Sequence, residues 1–387
     1  MEQLDLAQIR KSIDETDDKI LELFKSRLAL CDSVAKSKKQ TGKNVRDDKR
    51  EKEIIARLTE GLCEYDASAV SMLYSTIFEI SRARQHTFLS EKKDKSALYD
   101  IIKDAYTDTQ KIKDASMIAC QGVEGAYSQI ACKTLFGDTP VMYFENFESV
   151  FKSVESGLCR YGVLPFENSI YGSVVEVYDL LAKKNVSVVR SVKLPIHHAL
   201  LVKKGTTISD IKTIYSHKQA IGQCSNFLSE NRNIKVNICE NTAVAAKMVA
   251  NSERNDVAAI ASPDCAKLYN LDILKKDLQN SGINFTMFYC ISKQPEIYNG
   301  ANKAAFMFNI PNRTGALFNV LARFAAFGVN LTKIESRPIC GKDFEFMFYA
   351  EADIGELNEG LVNLFSDLEN TVDFFKFIGA YEEITVN

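Results

Sequence analysis

The sequence is poor in the features that mark metalloproteins, secreted proteins and nucleic-acid binders. Only four of its 387 residues are histidine, and His197 and His198 are adjacent. On a strand such neighbours point to opposite faces, so the pair predicts no metal centre. Ten cysteines are scattered from Cys31 to Cys340 without a C-x-x-C pair. That spacing fits neither a zinc site nor a disulfide framework, and it predicts free thiols in a reducing cytoplasm. The net charge is −3, which argues against nucleic acid or an anionic membrane as the main partner but leaves room for a local basic pocket. Glu2, Gln3 and Asp5 follow Met1, so no secretory leader is expected. No apolar run reaches the roughly 18 residues a membrane span needs. There is no internal repeat and no low-complexity tract.

What is present is an ordinary globular composition, 46% apolar and 26% charged, in a chain long enough for two or three domains. Three segments differ in rhythm. Residues 5 to about 90 read as helix. Asp5 and Gln8 resemble a capping box, and an apolar period of 3.6 runs to Lys38 and stops near Thr41-Gly42. A second helix is expected from Asp47/Asp48 to Gly61 and a third from Asp66 towards His86. The first helix would be about 50 Å long. So small a domain cannot cover such a rod, which predicts an interlocked pair of chains. Residues 91–113 are charged and weakly periodic, as in a linker. From Met117, short apolar runs (MIAC, VMYF, YGVLPFE, VSVVRSV, VAAIAS) alternate with helical stretches at 147–156, 174–183 and 242–251, the pattern of α/β units with buried strands. From 303 the order becomes strand, helix, strand, strand, helix, strand, a ferredoxin-like βαββαβ sandwich.

The first helix carries an anomaly. At 100° per residue, Ile9, Ile13, Phe24, Cys31 and Val34 fall within about 40° of Ile20, and the cations Arg27 and Lys38 fall there too. Arg10 lies about 80° away, at the edge of the stripe. On the second helix Asp47, Arg50 and Glu51 share a face, and on the third Ser81 and Gln85 are i, i+4. Buried cations are costly unless an anion meets them. They form either an internal salt-bridge network or a pocket for a ligand with two carboxylates and a hydroxyl. No nucleophile–base pair accompanies them, so chemistry there would be driven by binding.

The spacing Arg10, Arg27, Lys38, Asp47, Arg50, Glu51, Ser81, Gln85 resembles the active-site set of the all-helical chorismate mutases. That resemblance implies an intramolecular rearrangement of chorismate to prephenate, with no cofactor. It implies that Arg27 and Ser81 hold one carboxylate and Arg10 of the partner subunit the other. Lys38 and Gln85 would face the ether oxygen, Glu51 and Asp47 the ring hydroxyl, and Arg50 would support the anionic site. Arg84 also falls near the third helix's stripe, without a role.

In the middle segment GVEGAYSQ lacks the paired glycines of a dinucleotide loop, so no nicotinamide cofactor is expected. The segments PFENSIYGSVVEVYDLL (165–181), LPIHHALL (194–201), YSHKQAIGQCSNFL (215–228) and NFTMFYCIS (284–292) put small polar residues at strand ends, where α/β folds place ligands. Taken singly, most would be turn or capping residues. Together they resemble prephenate dehydratase, implying two α/β lobes like those of a periplasmic binding protein. In such an enzyme Thr286 would be the catalytic hydroxyl, with Tyr127, Ser128, Asn168, Ser169, Gln223 and Ser225 in the cleft. One departure stands out. The family's Thr-Arg-Phe is here Thr286-Met287-Phe288, and methionine neither donates hydrogen bonds nor carries charge. The alternative is therefore a chorismate mutase fused to a catalytically weakened, dehydratase-like ligand sensor.

At the C-terminus RTGALFNVL (313–321) and NLTKIESRPI (330–339) resemble the phenylalanine-binding segments of ACT domains, with Phe318 in place of valine. This implies an L-phenylalanine pocket at a subunit interface from Gly315, Ala316, Leu317, Asn330, Leu331, Glu335 and Ser336. The blander readings are that Gly315 simply starts a helix and that Glu335 and Arg337 form a surface pair. The whole reading is a mutase domain at 1–90, a linker at 91–113, a dehydratase domain at 114–295 and an ACT regulatory domain at 300–387. It predicts a cytoplasmic homodimer or homotetramer making phenylpyruvate for phenylalanine, with no metal, cofactor, nucleic acid or membrane involved.

Overall fold

A computed structural model describes residues 6–41, 47–90, 97–280, 282–312, 315–339, 345–355, 357, 359–369 and 372–386. Asp5 and Gly42 lie outside the described residues. The chain divides into two compact units, one formed by residues 1–101, 308–352 and 358–375, the other by the remainder.

In the first unit, helix α1 (Leu6–Thr41) is followed by α2 (Asp48–Thr59) and α3 (Glu64–Ser90). Thirty-six residues make α1 about 54 Å long at 1.5 Å per residue. Its apolar stripe has two fates. Cys31 and Ala35 are buried within the chain, whereas Ile9, Ile13 and Ile20 are exposed. Asp47 starts α2 by accepting the Arg50 N–H at 3.1 Å, a capping bond that satisfies one of the helix's orphan donors. Arg84 forms a two-pronged pair with Asp32 at 2.7 and 2.8 Å, joining α3 to α1.

The expected linker is not featureless. Helix α4 (Ala97–Ala105) forms within it and buries Leu98, Tyr99 and Ile102. These residues are one, three and four apart and so share a helical face. Then come β1 (Tyr106–Thr107), β2 (Ile118–Gln121), α5 (Tyr127–Phe136), β3 (Val141–Phe144), α6 (Phe147–Ser156), β4 (Tyr161–Asn168), β5 (Gly172–Ser173), α7 (Val175–Lys183) and β6 (Ser187–Pro195). The chain crosses to a second sheet through β7 (Ala199–Val202), β8 (Thr213–His217), α8 (Lys218–Gln223), α9 (Ser225–Glu230), β9 (Lys235–Cys239), α10 (Thr242–Asn251), β10 (Val257–Ala261), α11 (Asp264–Leu268) and β11 (Asp272–Lys275). It returns in β12 (Phe285–Ser292) and β13 (Ile297–Tyr298). The second sheet has the order β11-β7-β10-β8-β9. Leu201 and Ala259 pack into one core, Leu200, Ala258 and Ile260 into another. Both faces are covered, which is why these strands read as unbroken apolar runs.

The two crossing segments lie side by side. Ile196 N–H donates to Asn284 O at 2.7 Å and Leu278 N–H to His198 O at 2.9 Å. They form a double strap between the lobes.

The C-terminal elements are β14 (Lys303–Asn309), α12 (Ala316–Ala326), β15 (Asn330–Pro338), β16 (Phe346–Asp353), α13 (Glu359–Glu369) and β17 (Phe374–Thr385), the βαββαβ order read from the sequence. Helices α12 and α13 pack on α3 within the first unit. The end of β17 runs parallel to β6, pairing Glu382 with Arg190 and Thr385 with Lys193. A Cβ on Gly379 would lie 2.0 Å from the Val188 carbonyl oxygen, so only glycine allows this approach.

Candidate active sites

In the helical unit, α1 and α3 bring Arg27 against Ser81, to which its guanidinium donates a hydrogen bond. The same guanidinium lies 5.6 Å from the Phe78 ring centroid. Gln85, one turn beyond Ser81, is buried, and its carbonyl oxygen has no partner among the described residues. Lys38 is half-buried. Arg27, Lys38, Ser81 and Gln85 thus all lie at least partly inside the protein.

The α2 residues divide. Glu51 is bound by Arg82, a residue the sequence pattern did not single out. Burial acts to lower the Arg82 pKa, but Glu79 and Glu51 together outweigh it and hold the guanidinium charged. Asp47 is exposed and spent on its cap. Arg50 is exposed and lies 3.5 Å from Glu53. Its position in the first turn of α2 turns its side chain to solvent. Arg10 is exposed near the start of α1. Arg84, previously without a role, is an inter-helix tether.

In the α/β unit a cavity of about 420 Å³ opens between the lobes beside the double strap. Tyr127, Ser128, Asn168, Gln223 and Thr286 line it. Ser169 and Ser225 do not. Ser169 Oγ accepts the Phe285 N–H at 2.9 Å and Ser225 Oγ accepts from Asn280 Nδ2 at 2.8 Å. Their hydroxyls satisfy nearby donors, as serine in turns commonly does.

The orientation of Asn168 is settled by its neighbours. Its Oδ1 accepts the Ile170 and Tyr171 N–H groups, both at 3.0 Å, so the other amide atom is Nδ2 and donates to Thr286 Oγ1 at 2.9 Å. With a lone pair occupied, the Thr286 hydroxyl keeps its own proton for an acceptor in the cavity. His198 also lines the cavity, with Nε2 at 2.6 Å from Gln223 Oε1. Burial lowers its pKa and favours the neutral ring.

No lysine or arginine is among the described residues lining this cavity. Instead, four helices of nine or ten residues present their first turns or caps to it: α5 at Ala126–Ser128, α6 at Phe147, α7 at Val174 and α10 at Asn241–Thr242. No side chain caps the starts of α5 and α7, whereas Asn146 and Asn241 each take one first-turn N–H of α6 and α10; the positive dipole end of each helix favours an anion. Pattern reading missed these positions because the donors are backbone groups.

Family profiles match the chain as prephenate dehydratase over residues 118–296 and as chorismate mutase type II over residues 9–86. The bifunctional chorismate mutase/prephenate dehydratase of Escherichia coli (strain K12) is 30% identical over 97% of this chain and 96% of its own length. The chain belongs to the bifunctional chorismate mutase/prephenate dehydratase family. It carries both activities, an isomerase and a lyase on the route to phenylalanine. The arogenate dehydratase/prephenate dehydratase 2 of Arabidopsis thaliana is 36% identical over 70% of this chain and 75% of its own. Among solved structures, the prephenate dehydratase of Arthrobacter aurescens in complex with L-Phe superposes with a TM-score of 0.63 at 27% identity, covering 69% of this chain and 89% of that one. A chain described as GqqA, a quorum quenching acylase, gives the same TM-score and identity over 69% of this chain and 98% of its own.

Membership in this family makes the face occupied by Met287 decisive. Thr286 and Phe288 line the cavity and Met287 does not. Its register partners are Glu167 on β4 and Lys193 on β6, which share its side of the sheet and also lie off the cavity. An arginine at 287 would meet that polar row and not the substrate. Met287→Arg is therefore expected to change dehydratase turnover by less than about threefold, as for substitutions away from the chemistry; a tenfold change in phenylpyruvate formation would contradict this placement.

Of the C-terminal residues, Gly315 adopts a left-handed φ of 78° and caps α12, Ala316 is buried and Leu317 follows. Along β15 exposure alternates. Leu331 and Glu335 are half-buried, while Asn330 and Ser336 are exposed on the other face. Leu331 and Glu335 thus lie on one face of β15 and Asn330 and Ser336 on the other.

Proposed function

We propose that the enzyme works at two separate sites, in the order chorismate to prephenate to phenylpyruvate. In the helical site Arg27 and Ser81 take one carboxylate, while Lys38 and Gln85 stabilise charge on the ether oxygen as it breaks. Glu51 takes the ring hydroxyl, with Asp47 near it at the start of α2. The reaction moves no proton, so positioning and charge stabilisation supply the catalysis. The exposed Ile9–Ile13–Ile20 stripe is the face on which a second copy packs, and it brings Arg10 of the partner subunit to the second carboxylate.

In the interlobe cavity, the electrons left by departing CO₂ aromatise the ring and expel hydroxide. Thr286 donates its proton toward that leaving oxygen, Asn168 holds the hydroxyl in orientation, and the helix N-termini seat the carboxylates. The Asn168–Thr286 hydrogen bond carries this reading. Incubating the protein with chorismate and following prephenate and phenylpyruvate separately tests it. Accumulation of prephenate without phenylpyruvate would overturn the dehydratase assignment.

The βαββαβ stretch serves as an ACT-type module that binds L-phenylalanine between subunits, an arrangement in keeping with the division of its seven residues between two faces of β15 and the start of α12. Only a ligand that prefers one state shifts an equilibrium. Millimolar phenylalanine should raise the melting temperature and lower dehydratase rate; no change in either would remove this role.

A further inference from the structure

Arg82 lies at the centre of an ion ladder that the mutase reading does not use. It donates to Glu51 on one side and Glu79 on the other, and Glu79 accepts from Arg323 of α12, with Nε at 2.7 Å. The side chains of Arg82, Glu79 and Arg323 are 10%, 7% and 3% exposed, whereas Glu51 is 23% exposed. We infer that Arg323 is a positioning residue for the chorismate rearrangement, acting on Glu51 through Glu79 and Arg82. The inference rests on the reading of Glu51 as a group that faces the substrate.

The order of burial decides what happens when the ladder is cut. Signs alternate along it, so each buried charge is balanced by its neighbours. Removing Arg323 leaves the Glu79 carboxylate with one cation instead of two. Glu79 is the more deeply buried carboxylate, and an unbalanced charge costs most where water cannot reach it. Arg82 therefore turns toward Glu79, and Glu51, which water can reach, loses its anchor. The loss appears in mutase turnover, although Arg323 lies more than 200 residues beyond α3 in the chain. Residue 323 is also in the helix that Gly315 caps, so the C-terminal stretch completes the mutase site instead of merely following it.

The test uses the full-length enzyme, with Arg323→Met, Arg323→Lys, Glu51→Gln and the double variant Arg323→Met/Glu51→Gln. Mutase kcat and KM are measured with chorismate, and dehydratase rate with prephenate. Arg323→Met should lower mutase kcat about tenfold, the size of one displaced charge-assisted contact, with a smaller change in KM. Arg323→Lys should recover most of it, and dehydratase rate should stay within about twofold in both variants. In the Glu51→Gln background the further loss from Arg323→Met should shrink below about twofold, because the anchored group is gone. An unchanged mutase kcat in Arg323→Met, or an undiminished tenfold loss in the Glu51→Gln background, overturns the inference. Near-normal turnover of Glu51→Gln alone would instead overturn the reading of Glu51. If Arg323→Met shows no melting transition, Arg82→Met replaces it; the same loss coupled to Glu51 supports the inference and normal turnover overturns it.

Discussion

Thr286→Val is expected to lower phenylpyruvate formation from prephenate by roughly 10²–10³-fold, as when one preorganised donor is removed from a developing charge. The rearrangement of chorismate should continue at its normal rate. Valine copies the shape of threonine and suits a strand, so β12 keeps its pairing with β4 and β6. What disappears is the hydroxyl that lines the cavity. Asn168 Nδ2 loses one acceptor but keeps Asn284 Oδ1 at 3.0 Å and the Phe285 carbonyl at 3.1 Å, so its amide stays in place. Thr286→Ser should recover most of the activity. Turnover of Thr286→Val within tenfold of normal would show that another group delivers the proton, and His198 would be the first to examine.

Lys38→Ala should reduce mutase turnover by at least about 10²-fold, again the scale for one donor aimed at charge that develops in the transition state. The split between kinetic constants is the sharper readout. The ether oxygen gains charge only as the bond breaks, so losing Lys38 should depress kcat far more than it raises KM. Phenylpyruvate formation from supplied prephenate should be unaffected. A variant with normal kcat and a raised KM would make Lys38 a carboxylate ligand, and one normal in both would remove it from the site.

The extent to which the sequence discloses these sites depends on what carries each signal. Helices and strands follow from apolar period, and the boundaries at 147–156 and 242–251 agree with α6 and α10 to the residue. Arg27 and Lys38 are legible because a cation in an apolar stripe is anomalous. The partner of Arg84 is not, since Asp32 lies 52 positions away and only folding brings them together. The sequence does not show that the Ser169 and Ser225 hydroxyls accept from the Phe285 N–H and from Asn280, because those partners lie 116 and 55 positions away. The helix N-termini around the cavity are invisible as residue types. Met287 is the instructive case. Neighbouring residues on a strand must face opposite sides, so a threonine in the cavity already places residue 287 outside it.

The junction of β17 with β6 has an evolutionary consequence. Gly379 lies against Val188, and Glu382 pairs with buried Arg190. A gene shortened to end near residue 300 would strip an edge from the lyase sheet and leave the Arg190 charge buried without its carboxylate, a costly state. Deleting the C-terminal stretch would therefore cost the lyase sheet one of its own strands, and a lineage that dispensed with the rest of that stretch would have to keep the final strand or find a substitute for it.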